Sequence, residues 1–120
     1  MSPSRGVDLS APPDQVWQAL IRPELFVQWF GAELDLDPTP GGRFELHMSD
    51  GSVKTGVVEV ADEPVYLVLR HHPFERDPGG NVRQTAGGYV RFVLREIDGG
   101  TRLKVDDSTG SELELSAASR

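Results

Sequence analysis

No cysteine occurs among the 120 residues, which removes disulfides, thiolate nucleophiles and cysteine-ligated zinc or iron–sulfur centres together and leaves the redox compartment unmarked. No apolar run approaches the roughly 20 residues that a membrane span needs. Positive charge is scarce: 12 Lys and Arg stand against 19 Asp and Glu, a net charge of −7. Such a surface repels phosphate backbones and anionic lipid headgroups within the Debye length, so neither nucleic acid nor an acidic membrane is an expected partner. The stretch from Met1 to Gly6 has no basic segment leading into an apolar one and no cleavage-site pattern, and a cytoplasmic location is the expectation.

The chain also lacks the short motifs that carry chemistry. It contains no Gly-x-Ser-x-Gly elbow, no Gly-x-Gly-x-x-Gly loop, no glycine-rich phosphate loop with lysine and no His-Glu-x-x-His. No cofactor is implied. His71 and His72 are neighbours on a strand, where adjacent side chains point to opposite faces, and His47 falls at an outward position, so no metal centre is expected.

What is present is the composition of an ordinary globular protein, 38% hydrophobic and 26% charged, at a length that supports one hydrophobic core. One domain over residues 1–120 is expected. Residues 5–10 alternate as a short strand until Ala11-Pro12-Pro13 stops it. A helix follows, because proline is tolerated in a first helical turn and Asp14 sits near the positive end of the dipole. Val16/Leu20 and Trp17/Ile21 repeat at helical spacing. Pro23 breaks this helix and opens a second, in which Leu25/Trp29 and Phe26/Phe30 repeat four apart.

From Glu33 onward the pattern becomes strands and turns. Strands are read at 33–37, 43–48, 53–60, 65–71, 89–97 and 101–105, separated by signals such as Asp50-Gly51 and Asp98-Gly99-Gly100. The stretch from Pro73 to Ala86 reads as a long loop or a loosely ordered hairpin extension. Tight hairpins force antiparallel pairing, and the absence of crossover helices excludes a parallel sheet, so the class is α+β with both helices on one face. Alternation turns Phe44, Leu46, Met48, Leu67, Leu69, Val90, Phe92, Leu94, Leu103 and Val105 toward the helices. It turns Arg43, Glu45, His47, Arg91, Arg95, Arg102 and Lys104 toward water, and Tyr66 and Tyr89 to the outer face.

The run from Val7 to Leu20, then Pro23-Glu24-Leu25 and Trp29-Phe30-Gly31-Ala32, resembles the opening of the activator-of-Hsp90-ATPase-homologue-like proteins of the START/Bet v 1-like (SRPBCC) superfamily. Gly41-Gly42-Arg43-Phe44, the strand from Gly56 to Val60, Pro64 to Leu69 and Gly99 to Leu103 fall where that family has equivalent signatures. The resemblance covers residues 7–107 and implies a helix-grip fold, a curved antiparallel sheet around an apolar cavity. Relatives close that cavity with a long C-terminal helix. Ser108 to Arg120 offers only Leu113 and Leu115, spaced as in a strand, so the closing helix is expected to be truncated or missing, and a second copy of the chain is a candidate cover. His71 stands where relatives commonly carry tryptophan.

The resemblance therefore implies a binder of a small hydrophobic or amphipathic molecule, walled by Trp29, Phe30, Phe44, Leu46, Met48, Leu67, Leu69, Phe92 and Leu103, with His71 as its polar contact. Trp17 reads as core. Two other classes stay open. A cyclase- or hydrolase-type enzyme would use His71 for proton transfer, the only catalytic candidate. A module engaging an Hsp90-type chaperone would instead present an apolar face to a protein. Asp106-Asp107 reads as turn chemistry after the last strand, near the cavity rim.

Overall fold

The computed structural model describes residues 4–108. Pro13 opens helix α1 (Pro13–Ile21) and Pro23 opens helix α2 (Pro23–Phe30), each placing its missing N–H where no helical partner exists. Gly31 ends α2 in the left-handed region at φ 70°, and its N–H returns to the Val27 carbonyl, a conformation in which a side chain would be strained. Strand β1 (Ser4–Leu9) precedes the helices. Seven strands follow them: β2 (Glu33–Leu36), β3 (Arg43–His47), β4 (Val53–Asp62), β5 (Tyr66–Arg76), β6 (Val82–Gln84), β7 (Gly88–Ile97) and β8 (Gly100–Asp107).

All pairings are antiparallel, in the order β1-β8-β7-β5-β4-β3-β2, with β6 on β5. The register carries alternation across the sheet: Leu67 lies opposite Phe92, Phe92 opposite Val105, and Leu94 opposite Leu103. Two irregularities between β4 and β5, at Lys54/Gly56 and Val58/Val60, add local twist and help the sheet curl. The result is a curled antiparallel half-barrel gripping two short helices, the α+β class and helix-grip form expected from the sequence.

Inside the curl, Val16, Trp17 and Leu20 of α1 and Phe26 and Phe30 of α2 meet Leu34, Phe44, Leu67, Phe92 and Leu103 of the sheet in one cluster. Full burial of each such side chain stabilises by roughly 1.5–3 kcal/mol. Arg43, Glu45, His47, Arg95, Arg102 and Lys104 face water. Arg91 is half-buried, since its Nη2 and Nε donate to Asp106 at 2.8 and 3.0 Å and its guanidinium lies over the Tyr89 ring.

Pro73 to Ala86 follows the hairpin reading. β5 runs on to Arg76 and pairs with β6, and Asp77 organises the turn by accepting from the Gly79 and Asn81 amides at 3.0 and 2.8 Å. Low hydrophobicity hid this extension, whose side chains are largely exposed. Asp106 and Asp107 lie within β8 and are buried, so the turn reading of these acids is corrected: β8 continues two residues past Val105 because β7 pairs with it there. The expectation that the closing helix is truncated or missing concerns residues 109–120, which lie outside the described residues.

Candidate ligand-binding site

The walls expected from the sequence divide into two groups. Leu67, Phe92 and Leu103 turn inward as alternation requires and Phe30 reaches in from α2, but all four sit in packed core. Phe26 and Phe30 stack at 4.3 Å between ring centroids, and both meet Phe92 edge-on at 6.4 and 5.9 Å. α2 fills this part of the curl, and neither of the two clefts described below is lined by these residues. Trp29 and Met48 are half-buried against the same cluster. Phe44, Leu46 and Leu69 are buried inward on the strands that lead to His71.

At His71 the packing changes. The imidazole is 7% exposed, and in register it faces glycine on both sides, Gly56 on β4 and Gly88 on β7. Neither neighbour supplies a side chain to pack or pair with it. The Phe44 ring lies over Gly56, where a Cβ would come 2.5 Å from Phe44 Cε2, and meets His71 edge-on with centroids 5.3 Å apart. Both ring nitrogens of His71 are buried without a hydrogen-bond partner among the described residues. Beside the imidazole opens a pocket of about 200 Å³, bordered by Lys54, His71, Glu75, Thr85, Gly87 and Ser108, with His72 and Phe74 at its edge.

The electrostatics of this pocket are mixed. Burial pushes His71 from its ordinary 6.5 down to about 4; the nearby Lys54 ammonium acts in the same direction, Asp107 and Glu75 oppose it, and His72 adds slightly to the lowering. At neutral pH the ring is an uncharged imidazole carrying one N–H donor and one bare acceptor nitrogen. Glu75 is engaged by Arg83 at 2.6 Å. An unpaired buried polar atom costs roughly 1–3 kcal/mol. A polar group that reached either nitrogen would satisfy it, and the uncharged ring is a poor proton abstractor at neutral pH.

With the fold and this pocket described, the family follows. The family model for Activator of Hsp90 ATPase homolog 1-like protein matches residues 10–119. The chain belongs to this family. Solved structures similar to this chain include protein MLL2253 from Mesorhizobium loti, at 24% identity and TM-score 0.72, covering 92% of this chain and 78% of that one. CalU16 from Micromonospora echinospora is 27% identical at TM-score 0.67, over 92% of this chain and 62% of its own. DynU16, described as a protein in the dynemicin biosynthetic locus, is 24% identical at TM-score 0.71, and the match covers 92% of this chain and 38% of DynU16. Among curated proteins there is no match. These relatives carry the Bet v 1-like fold assignment. Among the described residues no helix is long and apolar enough to cross a membrane.

On the outer face of this family member lies a wider, shallower groove of about 830 Å³, bordered by Asp35, Asp37, Arg43, Glu45, Thr55, Val57, His72 and Phe74. Its histidine is already engaged: His72 stacks on Phe74 at 5.1 Å, and its Nδ1 lies 3.0 Å from Thr55 Oγ1. An open groove whose histidine is already engaged demands less of a ligand than the smaller pocket beside an imidazole unpartnered among the described residues, so the candidate site is at His71. Lys54 and Glu75 are the site neighbours that sequence reasoning missed, whereas Asp107, placed near the cavity rim from the sequence, acts on His71 from β8. Counting in twos along each strand finds both: Lys54 shares the parity of Gly56 and Val58, and Glu75 shares that of Leu69 and His71.

Proposed function

We propose that the protein binds a small amphipathic molecule in the pocket beside His71, with the polar end of the ligand hydrogen-bonded to the imidazole and its apolar body against Phe74 and Ala86. The observation that carries this reading is the buried imidazole with two unpartnered nitrogens bordering a pocket. A pocket of about 200 Å³ is smaller than the range of roughly 300–1,000 Å³ typical of whole-ligand sites, which fits a compact ligand or the head of a larger one. The depressed basicity of His71 supports hydrogen bonding over general-base catalysis.

Native mass spectrometry of the purified protein, followed by thermal shift against a panel of aromatic and aliphatic amphiphiles, tests this reading. A bound small molecule, or a rise in Tm with a panel member that disappears in His71→Phe, is the expected result. A clean apoprotein mass and a panel without any shift would overturn it. The same spectrum reports whether a second copy covers the concave face.

A further inference from the structure

Resting on the binding reading above, we infer that Lys54 makes the pocket selective for a singly charged anion, an amphiphile whose head group is a carboxylate. The cross-strand register sets this up. Leu46, Lys54, Glu75 and Arg83 lie opposite one another in a row across β3, β4, β5 and β6, so one carboxylate stands between two cations. Arg83 takes it: Nη2 and Nε both donate to Glu75 Oε2, at 2.6 and 3.1 Å. Lys54 is half-buried on the pocket border, and its ammonium has no hydrogen bond or ion pair among the described residues.

The rest of the pocket border suits the same head group. Its carboxylate, Glu75, is neutralised by Arg83, whereas its ammonium is not neutralised. Thr85 Oγ1 accepts from the Gly87 amide at 3.2 Å, which leaves the hydroxyl proton to donate. An ammonium partly withdrawn from water holds a carboxylate more strongly than a fully solvated one does. Lysine, a compact point charge, matches a single negative charge. Phe74 and Ala86 give the apolar body its wall, and about 200 Å³ accommodates a head group of ring size. The outer groove carries Asp35, Asp37 and Glu45 against Arg43, so the same anion is repelled there.

The test uses the full chain at pH 7 with two probes of one shape, 4-ethylbenzoate and its uncharged counterpart 4-ethylbenzamide, measured by calorimetry and by NMR of the lysine side chains. The benzoate is expected to bind about tenfold more tightly, the gain of one charge-assisted hydrogen bond, and to shift the Lys54 Hε and Cε resonances. In Lys54→Met the two probes should bind alike, and Lys54→Arg should retain the preference. The Tm of each variant reports whether it folds; should neither fold, the wild-type Lys54 shifts decide alone. Equal or tighter binding of the benzamide, a preference that survives Lys54→Met, or a bound benzoate that leaves Lys54 unmoved would overturn the selectivity while leaving the binding reading intact. Binding of neither probe overturns the selectivity as well, and an amphiphile panel that also fails takes the binding reading with it.

Discussion

The two ends of the same concave surface are built from one alternating pattern and come out differently. Under the helices, Phe26, Phe30, Phe92 and Leu103 interlock until little surface remains. Around His71 the neighbouring strands supply Gly56 and Gly88, and the inward positions turn to Lys54, Glu75 and Asp107. Inward direction alone therefore does not define a cavity wall. What the opposing element delivers decides whether an inward side chain becomes core or site: α2 brings aromatic rings to one end, and glycine brings nothing to the other.

The largest effect is expected where the covered end is cut. Phe92→Ala removes a fully buried ring touching two others, and chemical denaturation should show a loss of about 3–5 kcal/mol. Acid should break the open end instead. The unfolded-state imidazole titrates near 6.5 and the native one near 4, so between those values the unfolded chain binds more protons. Stability from this group is present above pH 6.5 and lost as pH falls toward 4, on the order of 3 kcal/mol. The difference in unfolding free energy between wild type and His71→Phe, measured at pH 7.5 and pH 4.5, isolates that contribution.

Gly56→Ala attacks the register that makes the pocket. The new Cβ would meet Phe44 and the Arg70 carbonyl, and a backbone oxygen cannot step aside. A loss of roughly 1–3 kcal/mol is expected, together with loss of ligand-induced thermal shift. His71→Leu sharpens the contrast in the opposite direction: exchanging an unpartnered buried imidazole for an apolar side chain should raise stability at neutral pH by about 1–2 kcal/mol, whereas a histidine holding the fold together would lose stability. Smallest is Thr101→Val at the covered end, where the hydroxyl donates to the Ala11 carbonyl at 2.7 Å; about 1 kcal/mol should be lost without any change in binding.

Much of the fold was legible because period-two alternation and proline-initiated helices are local signals. Pro13, Pro23 and the strand hairpins lie where the sequence placed them, and Phe44, Leu46, Leu67, Leu69, Phe92 and Leu103 face inward. The division of those residues between core and site was not legible, since it depends on how deeply the Phe26 and Phe30 rings reach, which no strand encodes. His71 was visible by parity from Leu67 and Leu69. Its isolation was not, because it arises from cross-strand register with Gly56 and Gly88, set by an irregularity between β4 and β5.

The measurement closest to the central claim is an NMR pH titration of the His71 imidazole in the ligand-free protein. A buried ring without a partner among the described residues should stay neutral through pH 5 and take up its proton near pH 4. Protonation near 6.5, the value of a solvated histidine, would contradict the account.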